Sequence, residues 1–220
     1  MTHPHAVARL CMLPLVISLS VSVLGADGPR ITRERIEDSD YDRFTGEISV
    51  PGDMATVRKL VTDTGAYPAW LHGCLESRIL AGRMETGEVF IYFVYAPPDM
   101  PWYLFMVPKQ KKRDMVLRLT WQEDSVAKRL VVNLVEILPD NEPSLEGVPM
   151  PSSTELIRVK EIAASWEFST VDSGQVAIRH KLYIDPNHKG EDLGIINKYA
   201  RNLVSKSLEN LAEHLPVLSN

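Results

Sequence analysis

Apolar and polar residues alternate most cleanly late in the chain. Val176, Ile178, Leu182 and Ile184 fall on one side of an extended segment, and Ala177, Arg179, Lys181 and Tyr183 fall on the other. That period of two predicts a strand with one covered and one wet face. His180 lies on the covered side, between Ile178 and Leu182. Residues 192–215 carry a different rhythm. Ile196, Ala200, Leu203, Ser207 and Leu211 recur at steps of three and four, the spacing of one face of a long helix. The alternating strand spans 176–184, and further strands are expected over 43–50, 76–80, 89–95, 115–121, 130–138 and 156–168, with turn chemistry such as Asp172-Ser173-Gly174 between them. Asp53 is placed to cap a helix that shows Val57, Leu60 and Val61 on its apolar face, and Thr64-Gly65-Ala66-Tyr67-Pro68 ends it. The expected class is α+β, with a curved antiparallel β-sheet wrapped around a long C-terminal α-helix. Such a grip tends to enclose a hydrophobic cavity.

The first 25 residues follow neither rhythm. They hold Arg9 but no acidic residue, then an apolar run over 10–24 broken only by Pro14 and three serines. Gly25 and Ala26 supply small residues before Asp27-Gly28-Pro29-Arg30. This is the layout of a secretory signal peptide, with cleavage near Gly25/Ala26 and one domain over 26–220. The other reading is an uncleaved anchor helix, for which the apolar run is short. Its removal takes away Arg9 alone among the charged side chains, so the remainder is one unit more acidic.

Composition narrows the function. The 220 residues hold 24 Lys+Arg against 29 Asp+Glu, a net charge of −5, which argues against nucleic acid as a partner. Two cysteines, Cys11 and Cys74, are too few for a disulfide scaffold, and only Cys74 would remain after cleavage. A single buried thiol suits a periplasmic protein. No P-loop, dinucleotide fingerprint or G-x-S-x-G elbow is present, and once His3 and His5 leave with the first 25 residues no remaining histidine pair has the close spacing of a helical zinc site. No cofactor, metal or catalytic residue is therefore assigned. His180 has two readings: a core histidine bonded to a backbone carbonyl, or a polar anchor for a ligand hydroxyl or carbonyl. Tyr92 and Tyr95 lie on opposite faces of their strand, so at most one points inward.

Residues 97–113 (PPDMPWYLFMVPKQKKR) gather Trp102, Tyr103 and Phe105 next to Lys109, Lys111, Lys112 and Arg113. Aromatic rings beside cations suit a membrane–water boundary, and a buried hairpin strand with a solvated charge run is the alternative.

The ordered landmarks resemble bacterial START (StAR-related lipid-transfer) domains of the wider helix-grip, Bet v 1-like superfamily. The resemblance spans about residues 27–215. It runs through Gly28-Pro29-Arg30-Ile31-Thr32-Arg33, Phe44-Thr45-Gly46-Glu47, Leu60-Val61-Thr62-Asp63-Thr64, Tyr67-Pro68-Ala69-Trp70 and Cys74-Leu75-Glu76-Ser77-Arg78. It continues through Ile91-Tyr92-Phe93-Val94-Tyr95, Pro101-Trp102, Arg113-Asp114, Ser165-Trp166-Glu167-Phe168 and Asp185-Pro186. Two departures stand out: residues 103–112 intervene between Pro-Trp and Arg-Asp, and Asn187-His188 replaces the glycine pair after Asp-Pro. The resemblance implies a helix-grip fold that binds one hydrophobic molecule, a sterol, phospholipid or similar lipid, without chemical turnover. Its long last helix would gate the cavity. Ligand-binding candidates are then His180, Tyr92, Tyr95, Trp102, Arg113, Trp166, Ile196, Ala200 and Leu203. Trp102, Tyr103, Phe105, Lys109, Lys111 and Lys112 are candidates for transient membrane docking. Alternatives are a polyketide cyclase or aromatase, for which only His180 and the less certain Glu136 or Asn133 offer acid–base chemistry, and a quinone-binding chaperone.

Overall fold

The computed structural model describes residues 28–97, 111–137, 142–150, 156–172, 174–187 and 193–218. The segment read as a signal peptide lies outside them, as do Trp102, Tyr103, Phe105 and Lys109.

Among the described residues nine strands form one sheet: β1 (Arg30–Arg35), β2 (Asp42–Pro51), β3 (Cys74–Arg83), β4 (Glu88–Tyr95), β5 (Lys112–Asp124), β6 (Arg129–Glu136), β7 (Leu156–Arg158), β8 (Glu161–Asp172) and β9 (Gln175–Asp185). Their spatial order is β1-β2-β9-β8-β6-β5-β4-β3, antiparallel throughout this path. Helices α1 (Met54–Thr62) and α2 (Tyr67–Trp70) follow β2, and α3 (Leu193–Leu218) ends the chain. The α+β helix-grip class is therefore present.

Local chemistry sets the boundaries. Asp53 accepts the backbone N–H of Thr56 at 2.8 Å, which caps α1 as expected. Val57, Leu60 and Val61 are buried beneath it. In β9 the alternation holds from Val176 to Leu182, with Val176, Ile178, His180 and Leu182 buried on one face, but Tyr183, expected on the wet face, is buried as well. Glycine permits the closest approach of helix to sheet. A Cβ on Gly46 of β2 would lie within 2.6 Å of both Leu208 and Val204 of α3. Leu208, Leu211 and Leu215 are fully buried there, each worth roughly 1.5–3 kcal/mol relative to exposure.

Two expectations need correction. The single strand expected over 156–168 divides at Val159 and Lys160, whose amides bond to the carbonyls of Asp114 and Asp185. Its first part, β7, pairs in parallel with the start of β5, where β6 no longer reaches. The second correction concerns the wet face. On β4 and β5 both faces are covered, because Phe90, Tyr92, Val94 and Val116 pack outward against Leu145, Val148, Met150 and Leu156. A stretch of six consecutive buried residues in β4 reflects this double cover.

Candidate ligand cavity

The long helix is amphipathic in an unequal way. Ala200, Val204, Leu208 and Leu211 are buried in the main core, with Val204 and Leu208 against β2. Ile196, Tyr199, Leu203 and Ser207, on an adjoining stripe, line a cavity between α3 and the sheet. From Ile196 to Ser207 this stripe runs about 16 Å at 1.5 Å per residue. The opposite wall comes from Met115 and Leu117 of β5, Leu134 of β6, Ile162, Ala164 and Trp166 of β8, and His180, Leu182 and Ile184 of β9. Tyr95, Arg113, Leu71, His72 and Pro186 complete it.

The lining is mostly apolar, yet the free volume is small, about 40 Å³. Roughly 10–15 Å³ is enough for one water by this measure, so the space suits a few waters. Pockets for organic ligands run to roughly 300–1,000 Å³. A sterol or phospholipid is admitted only if α3 and the sheet separate further. A lipid-sized void was the expectation, and side-chain packing has closed most of it.

Six of the nine ligand candidates line this cavity: His180, Tyr95, Arg113, Trp166, Ile196 and Leu203. Tyr92 does not. Strand alternation turns it to the outer face, where Arg78 sits 5.2 Å from its ring centroid. Burial there pushes its hydroxyl up to about 12, with Asp114 as hydrogen-bond partner adding to the shift. Ala200 is buried in the core beside the cavity without lining it. Trp102 lies outside the described residues. Of the acid–base alternatives, Asn133 points outward between Val132 and Leu134, which are buried inward. Glu136 does not line the cavity; burial lifts its carboxyl to about 7. Among the described residues no group of three His, Cys, Asp or Glu side chains could hold a metal ion.

Leu71, His72, Tyr199 and Ser207 join the wall, and Tyr199 was missing from the helical stripe read in the sequence. Its spacing to Ile196 and Leu203 is the signal that could have found it. No local pattern marks His72, which reaches the cavity because its amide bonds to the Ser207 hydroxyl oxygen at 3.0 Å.

His180 and Trp166 are paired across β9 and β8, and their rings stack with centroids 3.6 Å apart at 6°. Trp70 meets Trp166 edge-on at 5.5 Å, and Tyr67 continues the array to Phe93. The His180 Nδ1 lies 3.1 Å from the carbonyl oxygen of Ser165. The first reading of this histidine holds, since it bonds a backbone carbonyl, and the ring also lines the cavity. Its pKa is drawn down from 6.5 to about 4 by burial, partly countered by the Ser165 hydrogen bond. The unfolded chain takes up this proton below pH 6.5 and the folded chain only near 4. Stability should thus fall as pH is lowered through that window. His180→Phe is expected to flatten that part of the stability profile, as read by denaturant midpoints at pH 7 and pH 4.5. An unchanged pH dependence would show that this ring does not control it.

At the other end of the wall, Arg113 is 3% exposed and donates from Nη1 to the Lys111 carbonyl oxygen at 2.9 Å. Lys111 and Lys112, immediately before it, are exposed. Neighbouring Asp114 turns to the outer face and takes a two-pronged hydrogen bond from Arg158 at 2.7 and 3.1 Å. Tyr199 donates from its hydroxyl to the Ala96 carbonyl oxygen at 2.6 Å, tying α3 to the end of β4.

No protein-family model matches the sequence. An uncharacterised protein of Pseudomonas aeruginosa is 22% identical over 160 residues, covering 73% of this chain and 69% of that one. The fold is similar to that of a STAR-related lipid transfer protein from Xanthomonas axonopodis, with TM-score 0.69, 19% identity and coverage of 88% of this chain and 96% of that one. Human StAR-related lipid transfer protein 5 is similar with TM-score 0.66 at 12% identity, covering 89% and 90%. Human STARD10 gives TM-score 0.64 at 14% identity, covering 86% and 70%. The nine-stranded sheet, its grip on α3 and these likenesses together give this chain a START-like helix-grip fold.

Proposed function

We propose that this protein binds a single lipid between the sheet and α3 and carries it between membranes, in the periplasm after removal of residues 1–25. The observation that carries this reading is the apolar seam itself: a run of Met115, Leu117, Leu134, Ile162, Leu182 and Ile184 faces the helix around a void of about 40 Å³, which a lipid would widen. Covering an apolar molecule there gains roughly 25 cal/mol per Å² buried. The names of the structurally similar proteins, lipid transfer proteins among them, point the same way. Among the described residues no helix is long and apolar enough to cross a membrane. A reversible visit through the 97–113 segment, with Lys111 and Lys112 exposed beside the Arg113 end of the cavity, suits a carrier. Each such cation near an anionic surface contributes about 1 kcal/mol.

The test is lipid extraction from the purified protein followed by mass spectrometry, together with transfer of sterols and phospholipids between vesicles. A stoichiometric lipid and saturable transfer are expected, with slower transfer from anionic vesicles for the Lys111→Glu/Lys112→Glu variant. Recovery of no lipid and no saturable binding of either class would overturn the proposal. Equal transfer by the variant would remove the docking role alone.

A further inference from the structure

One polar atom in the cavity wall has a defined and unused capacity. A carbonyl oxygen can only accept a hydrogen bond, so the contact from His180 Nδ1 to Ser165 O requires the proton on Nδ1. The ring is 3% exposed and stacked on Trp166, with Ile178 and Leu182 as its apolar neighbours along the same face. Burial keeps it neutral at physiological pH. Nε2 therefore carries a lone pair and no hydrogen. It has no hydrogen-bond partner among the described residues, although the ring lines the cavity. His180 is paired with Gly46, which fits against Val204 and Leu208, so the ring stands near the Leu203–Ser207 part of the helical stripe. Arg113 and Pro186 belong to the other end of the strands.

We infer that the cavity selects a lipid alcohol, seated with its hydroxyl donating to His180 Nε2 and its apolar body lying along Leu182, Ile184 and α3 toward Arg113. This rests on the lipid-binding reading above and sharpens it. The chemistry excludes the alternatives at this end. An ether or ketone oxygen would face Nε2 acceptor to acceptor. A carboxylate or phosphate would meet the same lone pair without a hydrogen to offer. An ammonium group would enter an apolar surrounding in which no carboxylate among the described residues lines the wall. Of these groups, only a hydroxyl satisfies both itself and the ring.

The experiment compares two matched pairs on the whole mature chain: cholesterol with its 3-O-methyl ether, and 1-dodecanol with 1-methoxydodecane. The alcohol of at least one pair should bind roughly ten- to a hundredfold more tightly than its ether. That preference should collapse in His180→Phe, which keeps a flat ring against Trp166. Nitrogen-15 NMR of labelled histidine gives a reading that needs no variant. His180 should show a protonated Nδ1 and a bare Nε2 whose resonance moves when the alcohol is added and stays when the ether is added. Equal affinity for alcohol and ether, or an Nε2 that is protonated throughout, overturns the selection of alcohols while leaving lipid binding intact. If neither pair binds the wild type while phospholipid does, the alcohol inference also fails. If no lipid of any class binds, it is the underlying reading that falls.

Discussion

Ala164→Phe is expected to abolish lipid binding while the protein stays folded. Ala164 sits in the middle of the wall, paired with Leu134 on one side and Leu182 on the other, and all three line the cavity. With only about 40 Å³ free, a ring projecting from this position takes the space that a ligand must widen. The cost in stability should be that of moderate overpacking, about 1–3 kcal/mol. Binding of any extracted lipid should fall at least tenfold, and Ala164→Leu should fall between the wild type and the phenylalanine variant. Retained affinity in a folded Ala164→Phe variant would mean that the ligand sits elsewhere. Circular dichroism and a denaturant titration separate this outcome from simple unfolding.

The second large effect is expected where α3 meets β2. A valine at position 46 would drive carbon atoms into Leu208, Val204 and Ile31, whose nearest atoms lie 2.5–2.9 Å from the position of a Cβ. Gly46→Val should cost about 1–3 kcal/mol or somewhat more. Leu208→Ala, which empties a fully buried site, should cost about 2–5 kcal/mol. Because the two residues share one contact, the double variant should be more stable than the sum of the single losses, by about 0.5–3 kcal/mol. Strict additivity in urea unfolding would refute the idea that this glycine exists to let the helix approach.

Much of this was readable in the residues because the periodicities are local. The cap at Asp53, the alternation of β9 and the three-and-four spacing of α3 each depend on neighbours within one element. His180 could be placed on the covered face by counting from Ile178. The sequence also showed that Tyr92 and Tyr95 take opposite faces, and the structure settles that Tyr95 is the inward one. What escaped depends on contacts distant in sequence. The division at Val159 arises because β7 pairs with β5, more than 40 positions earlier, and no local turn signal announces it. Ala200 and Tyr199 differ by a single step of 100° around the helix, and only the position of β2 decides which of them meets the cavity. His72 joins the wall through a hydrogen bond to a residue 135 positions away. Cavity volume is more remote still, since it depends on how every rotamer in the wall packs.

The second apolar cluster behind β4 and β5 bears on how the molecule can yield. Phe90, Tyr92, Val94 and Val116 are clamped from outside by Leu145, Val148, Met150 and Leu156, so this part of the sheet has a buttress at its back. Among the described residues the helix rests on β1, β2 and β9, with α1 and α2 also touching it. A molecule wedged between them meets a wall braced at its back, so widening of the space is expected to fall mainly on the seat of α3 against β2. Gly46, where Leu208 and Val204 of the helix press against β2, is the expected pivot of such an opening.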